Sequence, residues 1–278
     1  IAVFVADWNN KADNIRHIAD TLNIGLDSLV FVDDNPAERA LVEKELPMVA
    51  VPDLPSDPSQ YTNVLNQNHY FETISYSQED SIRGEMYRAD SQRKKILKNT
   101  ADLDGFLEGL NMEAIIHTFD ESNLPRITQL INKSNQFHLT TTRYTENAIR
   151  SMMTDKKIIS RYFKLGDRFG DNGLISLVIL IHNEHSLKLD TWVMSCRVLA
   201  RGVEELVHNE IVSIARSLKV KKILGLYIPT KKNKLVSGLF ERMGYEKKDV
   251  TEKEDCWELN ISNKVEPKKH HIKIIENP

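Results

Sequence analysis

The sequence predicts an α/β chain in two parts, an incomplete parallel-sheet segment followed by an α+β domain. Three observations carry that prediction. Over the first sixty residues, short apolar runs alternate with apolar residues at helical spacing, the pattern of a parallel sheet covered by helices. Beyond Leu103 the order changes, and helices flank a run of three consecutive strands. The length, 278 residues, is about twice a common domain size and leaves room for both parts.

In chain order, Ile1 to Ala6 reads as a short strand. Ile15, Ile18, Ala19 and Leu22 recur at helical spacing, and Gly25 ends that helix. Leu29 to Val32 is a second strand, and Pro36 opens a second helix where its missing N–H costs nothing. Pro52, Pro55 and Pro58 mark a loop leading to a polar stretch around Asn63 to His69. From Ser77 to Asn99 the charges are acidic early and basic late, which suits a helix dipole, so this run reads as a connecting helix. A strand follows at Met112–His117, then helices near Asn123–Asn132 and Thr145–Met153, then strands over 157–166, 173–182 and 186–196. Val203, Leu206, Val207, Ile211, Ile214, Ala215 and Leu218 form the apolar stripe of an amphipathic helix after Gly202. A strand at Ile223–Ile228, a helix near Asn233–Met243 and short strands around Tyr245 and Trp257 complete the pattern. The predicted parts are therefore 1–76, a connecting helix over 77–101, a domain over 102–263 and a polar tail over 264–278.

Composition narrows the function classes. At 41% hydrophobic and 28% charged residues, with 11 Gly and 9 Pro, the chain belongs with ordinary globular proteins. Thirty-seven Lys and Arg against 40 Asp and Glu give a net charge of -3, too balanced for nucleic-acid binding as the main task. No apolar run reaches the ~18 residues of a bilayer span, and IAVFVADW lacks the basic lead of a signal peptide, so the expectation is a cytoplasmic protein with no membrane partner. Cys196 and Cys256 have no metal-ligand spacing and cannot form a disulfide framework.

Asp33 and Asp34, in FVDDNP, lie at the carboxyl end of a predicted strand, where open α/β sheets bind ligands. Two hard oxygen ligands suit Mg²⁺ completed by water and phosphate. Helix-start chemistry accounts for the same residues: Asn35 can cap, Pro36 can follow and Glu38 can close a capping box. Lys11 offers a positive charge ahead of the first helix. The segment from Trp8 to Pro58 resembles the haloacid-dehalogenase-like domain of FkbH-type proteins. That resemblance implies that Lys11 steadies a phosphorylated aspartate and that Asp33 and Asp34 hold Mg²⁺. The superfamily's DxDxT-like nucleophile motif and its Ser/Thr motif do not precede Lys11 in this sequence. Without the nucleophile the covalent phosphatase route is closed, and no such activity is expected.

In DTWVMSCRVLARGVEELVHNEIVSIARSL a strand ends near Cys196, Arg197 to Gly202 make a turn, and a helix begins. Backbone N–H groups at such a helix start suit a phosphate. Arg197, Ala200, Arg201 and Gly202 resemble the R/Q-x-x-G-x-G/A acyl-CoA loop of the GNAT acyltransferases, with Ala200 where Gly is usual, and KKNKLVSGLFERMGYEKK resembles the same superfamily downstream. An ordinary strand–turn–helix would look alike at the loop alone. NKSNQFHLTTTRY, LGDRFGDNGLIS and DTWVMSCRVLARGVE extend the FkbH resemblance to about residue 250. It implies a glyceryl transferase/phosphatase that takes a glyceryl unit from 1,3-bisphosphoglycerate, a phosphorylated three-carbon substrate, and loads it on an acyl carrier protein for polyketide-type biosynthesis.

Cys196 is then a candidate thioester nucleophile, with Arg197 and the helix start lowering its pKa and His138 as the candidate base. A small buried residue beside Trp192 and Met194 is the plainer alternative. Asn135, Gln136, Arg168 and Asp171 are candidate substrate contacts, although the glycines around Arg168 and Asp171 also fit a tight hairpin. Arg197, Arg201, Lys231 and Lys232 are expected to meet an acidic carrier protein. Two other functions stay open: a non-catalytic acyl-CoA or carrier-binding module, and an ordinary GNAT N-acetyltransferase with direct attack.

Overall fold

The computed structural model describes residues 1–22, 24–72, 81–99, 102–250, 254–261 and 265–276. The chain divides into two compact units, Ile1–Gln92 and Arg93–Pro278. Residues 77–80 and 100–101 of the predicted connecting helix lie outside the described residues; the rest forms helix α4, Arg83–Asn99, which carries the division.

Among its described residues the first unit holds helices α1 (Lys11–Leu22), α2 (Pro36–Glu45) and α3 (Tyr61–Gln67), besides the start of α4. Asn35 caps α2 through a bond from the Ala37 N–H (3.0 Å), with Pro36 following, as the sequence predicts. Ala12, Ile15, Val42, Leu46 and Val49 make its core, with Leu26, Leu29, Phe31 and Val51 packed against it. The predicted strands are not there as strands. Ile1–Ala6 is irregular, with Phe4 79% exposed, and Leu29–Val32 keeps a single parallel bridge, Val30 to Ala50. Each apolar run lacks a neighbour to complete a ladder, and unpaired backbone gains nothing from extension.

The second unit is an eight-stranded sheet in the order β6-β7-β5-β4-β3-β2-β1-β8. Its elements are α5 (Leu103–Gly109), β1 (Met112–His117), α6 (Leu124–Lys133), α7 (Glu146–Thr154), β2 (Ile158–Asp167), β3 (Gly170–Asn183), β4 (Ser186–Met194), α8 (Val203–Ser217), β5 (Lys222–Tyr227), α9 (Leu239–Met243), β6 (Glu246–Val250), β7 (Asp255–Asn260) and β8 (Ile272–Ile274). Pairs are antiparallel except β1–β8 and β4–β5, which are parallel. Along β3, Leu177 and Ile179 join one apolar cluster while Val178 and Leu180 join the other, the period-2 alternation of a sheet buried on both faces. Helices α6 and α7 cover the first face through Leu124, Ile127, Ile131 and Ile149. Helices α5, α8 and α9 cover the second through Phe106, Leu206, Ile211 and Phe240. Gly225 allows this packing: a Cβ there would lie 2.4 Å from the Phe240 ring.

The tail predicted as a polar appendage is part of this sheet. Ile272–Ile274 pair with Met112–Ala114, the Ile275 N–H bonds to the Ala114 carbonyl (2.9 Å), and Ile272 is buried. Its HHIKII stretch is too short to show strand periodicity, and an edge strand has one buried face at most.

Candidate functional site

Two features of the second unit open a site at the end of the sheet. Strands β4 and β5 pair only over Ser186–Leu189 and Lys222–Gly225, then separate. The gap is taken by Phe137–Leu139, whose backbone bonds to both sides: Met194 N–H to Phe137 O (3.2 Å), Leu139 N–H to Trp192 O (3.3 Å) and Ile228 N–H to Leu139 O (2.9 Å). Asn233, fully buried, locks the insertion by donating to the carbonyls of His138 (3.0 Å) and Ile228 (2.9 Å) and accepting from the Thr230 N–H.

Beside the gap, Ser195–Gly202 turn from β4 into α8. Ser195 accepts from the Arg197 backbone N–H and from its side chain, Cys196–Val198 form one 3-10 turn, and Gly202 takes the left-handed conformation at the helix N-cap (φ 81°). Ala200 is also left-handed (φ 58°), so the position where the loop motif expects Gly has a backbone that favours Gly. No side chain caps α8. A cavity of about 540 Å³ opens at this helix start, with apolar walls from Leu107, Phe137 and Leu235 and charged groups from Glu204, Arg242 and Lys269.

The loop is fastened from below by buried charges. Asp167, at the end of β2 with a fully buried side chain, takes a bidentate ion pair from Arg93 (2.8 Å on each oxygen) and lies 3.7 Å from Arg201. It also accepts from the Phe169 N–H (2.9 Å). Arg201, predicted as a ligand contact, thus points at Asp167 and is 8% exposed, so its charge serves the loop's seat.

The other predicted residues fall in separate places. Cys196 is half-buried and does not line the cavity. His138 is fully buried; its Nδ1 accepts from the Thr141 N–H (3.0 Å), which leaves Nε2 to donate to the Thr142 carbonyl (3.0 Å). Burial and the nearby Arg143 charge push its pKa down to about 4, so the ring is neutral. Asn135 is exposed and accepts from Arg143, and Gln136 is exposed beside it. Arg168 lies over the Phe169 ring, and Asp171 accepts from the Gly173 N–H, so both belong to the β2–β3 turn. Of the predicted cofactor residues, Ala200 and Gly202 line the cavity.

In the first unit Lys11 is exposed at the start of α1, Asp34 is exposed, and Asp33 accepts from the Asn35 N–H (2.9 Å). Arg39 donates to the carbonyls of both aspartates. Among the described residues no group of three or more His, Cys, Asp or Glu could hold a metal ion. The pair, with one Asp33 oxygen committed to its own turn, does not fit a Mg²⁺ site by itself, and no step is assigned to one. Among the described residues, no helix is long and apolar enough to cross a membrane.

Sequence reasoning missed Asn233, Asp167, Arg93, Glu204 and the tail. All but Asn233, which lies in the recognised downstream segment, act through tertiary contacts that no local spacing announces. Glu204 is the most telling: it is 7% exposed on the cavity wall, its Oε2 has no hydrogen-bond partner, and burial raises its pKa.

No protein-family model matches the sequence, and no curated protein matches it either. Among solved structures, the chain is similar to the spermidine N-acetyltransferase of Vibrio cholerae in complex with CoA and spermine, at 15% identity and TM-score 0.42 over 54% of this chain and 96% of that one. It is similar to the GNAT domain of S. lividans PAT at 11% identity and TM-score 0.43, over 52% of this chain and 89% of that one. It also matches an N-terminal part of a Bacteroides fragilis protein containing a phosphatase domain complexed with Mg, at 59% identity and TM-score 0.27. That match covers 27% of this chain and 20% of the other, so the chain spans one fifth of the Bacteroides structure it matches.

Proposed function

We propose that the second unit is an acyltransferase domain that binds the phosphopantetheine arm of a thioester, on coenzyme A or on an acyl carrier protein. The observation that carries this is the helix start of α8, with left-handed Gly202 and no side-chain cap, opening into the 540 Å³ cavity beside the β4–β5 separation. Its apolar walls suit the pantetheine chain, and Arg242 and Lys269 bring basic groups to a rim that also carries Asp104, Glu204 and Glu205. Calorimetric titration of coenzyme A and phosphopantetheine tests it; the absence of binding by either would remove the reading.

The FkbH resemblance supplies the finer form, glyceryl transfer to a carrier protein through Cys196. The Cys196 thiolate would attack the acyl-phosphate carbon of 1,3-bisphosphoglycerate and release that phosphate, leaving a 3-phosphoglyceryl thioester; the carrier thiol, giving its proton to solvent, would then take the acyl group and release the Cys196 thiolate, and hydrolysis of the 3-phosphate by a phosphatase would leave the glyceryl unit. Lys231 and Lys232, both exposed, are proposed docking residues for an acidic carrier. Intact mass after incubation with 1,3-bisphosphoglycerate should show an adduct that Cys196→Ala loses, and an unmodified wild type would exclude the thioester route. A phosphatase role for Lys11, Asp33 and Asp34, and with it Mg²⁺, belongs to a domain that includes the superfamily's nucleophile motif.

A second reading has its own observation. Cys196 lies off the cavity wall, and both ring nitrogens of His138 are engaged by its own loop. That arrangement favours direct transfer from an acyl thioester to an acceptor, as in an ordinary GNAT N-acetyltransferase. Transfer from acetyl-CoA that survives Cys196→Ala would select it.

A further inference from the structure

The start of α8 presents two unmet hydrogen-bonding demands on one cavity wall. The first belongs to the backbone: Gly202 is left-handed at the N-cap, no side chain caps the helix, and first-turn N–H groups have no acceptor within a helix. With the positive end of the helix dipole, such donors suit an anion. The second belongs to Glu204. It stands in the first turn of α8, is only 7% exposed, lines the same cavity, and its Oε2 has no hydrogen-bond partner. An ionised carboxylate desolvated in this way is costly, and the group takes up a proton instead.

The charges around Glu204 do not remove that cost. Burial raises its pKa and the adjacent Glu205 charge adds to the effect, while Arg242 on α9 opposes it. Across the cavity, Asp104 on α5 takes Lys269 at 2.9 Å and His271 at 3.2 Å, so these charges are matched to one another. His270 of the same segment passes over Gly202, where a Cβ would lie 3.2 Å from its own, and burial pushes its pKa down. One turn along α8, His208 is fully buried with both ring nitrogens unpartnered and a pKa pushed down to about 4, so its neutral ring offers Glu204 no countercharge. A neutral carboxyl group is a donor in need of an acceptor, as are the N–H groups beside it. An oxyanion answers both.

We propose that Glu204 is a ligand-binding residue that works as a neutral carboxylic acid, its O–H donating to a phosphate oxygen of the phosphopantetheine arm seated at the start of α8. This rests on the reading of the cavity as a phosphopantetheine site. Glu204 keeps its proton in the complex, since a phosphate beside it makes ionisation costlier still. It therefore favours the phosphorylated arm while protonated and opposes it once ionised.

The test is calorimetric titration of the whole protein, of Glu204→Gln and of Glu204→Ala with 4′-phosphopantetheine and with pantetheine, which lacks the phosphate. It is run at about pH 7 and about pH 9, above the second ionisation of a phosphate and across the range to which burial can move a carboxyl group. At the lower pH Glu204→Gln, which keeps a donor, should bind phosphopantetheine within about 3-fold of wild type, and Glu204→Ala should bind about 10-fold more weakly, the loss of one hydrogen bond to a charged group. Pantetheine should bind all three proteins alike, and unfolding midpoints report that the variants are folded. At the higher pH wild type should lose about 10-fold in phosphopantetheine affinity relative to Glu204→Gln, because only wild type gains a charge beside the phosphate. Glu204→Ala binding as tightly as wild type, an equal loss for pantetheine, or the same pH dependence in wild type and Glu204→Gln would overturn the role of Glu204 and leave the function reading standing. Absence of phosphopantetheine binding by wild type would overturn the function reading as well.

Discussion

Two of the turns that lead into helix starts are satisfied in opposite ways. At Asp33–Pro36 everything is local: Asn35 caps, Pro36 removes one N–H, Asp33 accepts from Asn35, and the turn lies near the surface. At Ser195–Gly202 no side chain caps the helix, and the loop depends on Asp167 from β2, Arg93 from α4 and His270 from the tail. A locally satisfied helix start has fewer donors left for a ligand. A start held by distant elements keeps them within a cavity, and so the second turn, with weaker local chemistry, is the better candidate site.

The largest effect should come from breaking the distant support. Asp167→Asn removes the charge of the carboxylate that pairs with the buried Arg93 guanidinium, which should cost about 3–5 kcal/mol in urea unfolding. A loss below 1 kcal/mol would mean that the loop does not depend on this pair. Acid should act next. His138 and His208 are fully buried with pKa values near 4, against 6.5 for a free imidazole, so the unfolded chain takes up their protons first. Their contribution is intact above pH 6.5 and is lost as pH falls toward 4, on the order of 3 kcal/mol for each. Stability measured across that window should fall steeply, and His208→Leu should remove about half of the slope.

Smaller changes compare the two helix starts directly. Gly202→Ala puts a side chain at φ 81° against His270 and should cost about 1–2 kcal/mol. Asn35→Ala removes one cap and should cost about 1 kcal/mol, with no change in phosphopantetheine affinity. Equal effects of both substitutions on ligand binding would erase the distinction. The smallest change is a gain: Ala200→Gly relieves a left-handed alanine and should stabilise by less than about 1 kcal/mol.

What the sequence made legible follows the same division. The Asn35–Pro36 cap, the apolar stripe of α8 and the strand run β2–β4 are periodic or local, and each is where the spacing puts it. The loop from Arg197 to Gly202 was legible as a turn into a helix, down to the position where Gly is missing. Arg201 was not legible as an anchor, because its partner Asp167 is distant in sequence and an arginine beside a phosphate-type loop looks the same in either role. The strands of the first unit failed for a related reason: apolar alternation states a preference, but a ladder needs neighbours.

The pairing of β8 with β1 also has a kinetic meaning. It joins the last strand of the unit to the first, so closing it encloses the other six, and the entropy of such a closure is recovered only after they have assembled. One wall of the cavity is therefore added late in folding, and it is the wall whose opening disturbs the rest least. In hydrogen exchange, the amides of Ile272 to Ile275 should report a lower opening free energy than those of β3, with Gly202 uncovered in each of those brief openings.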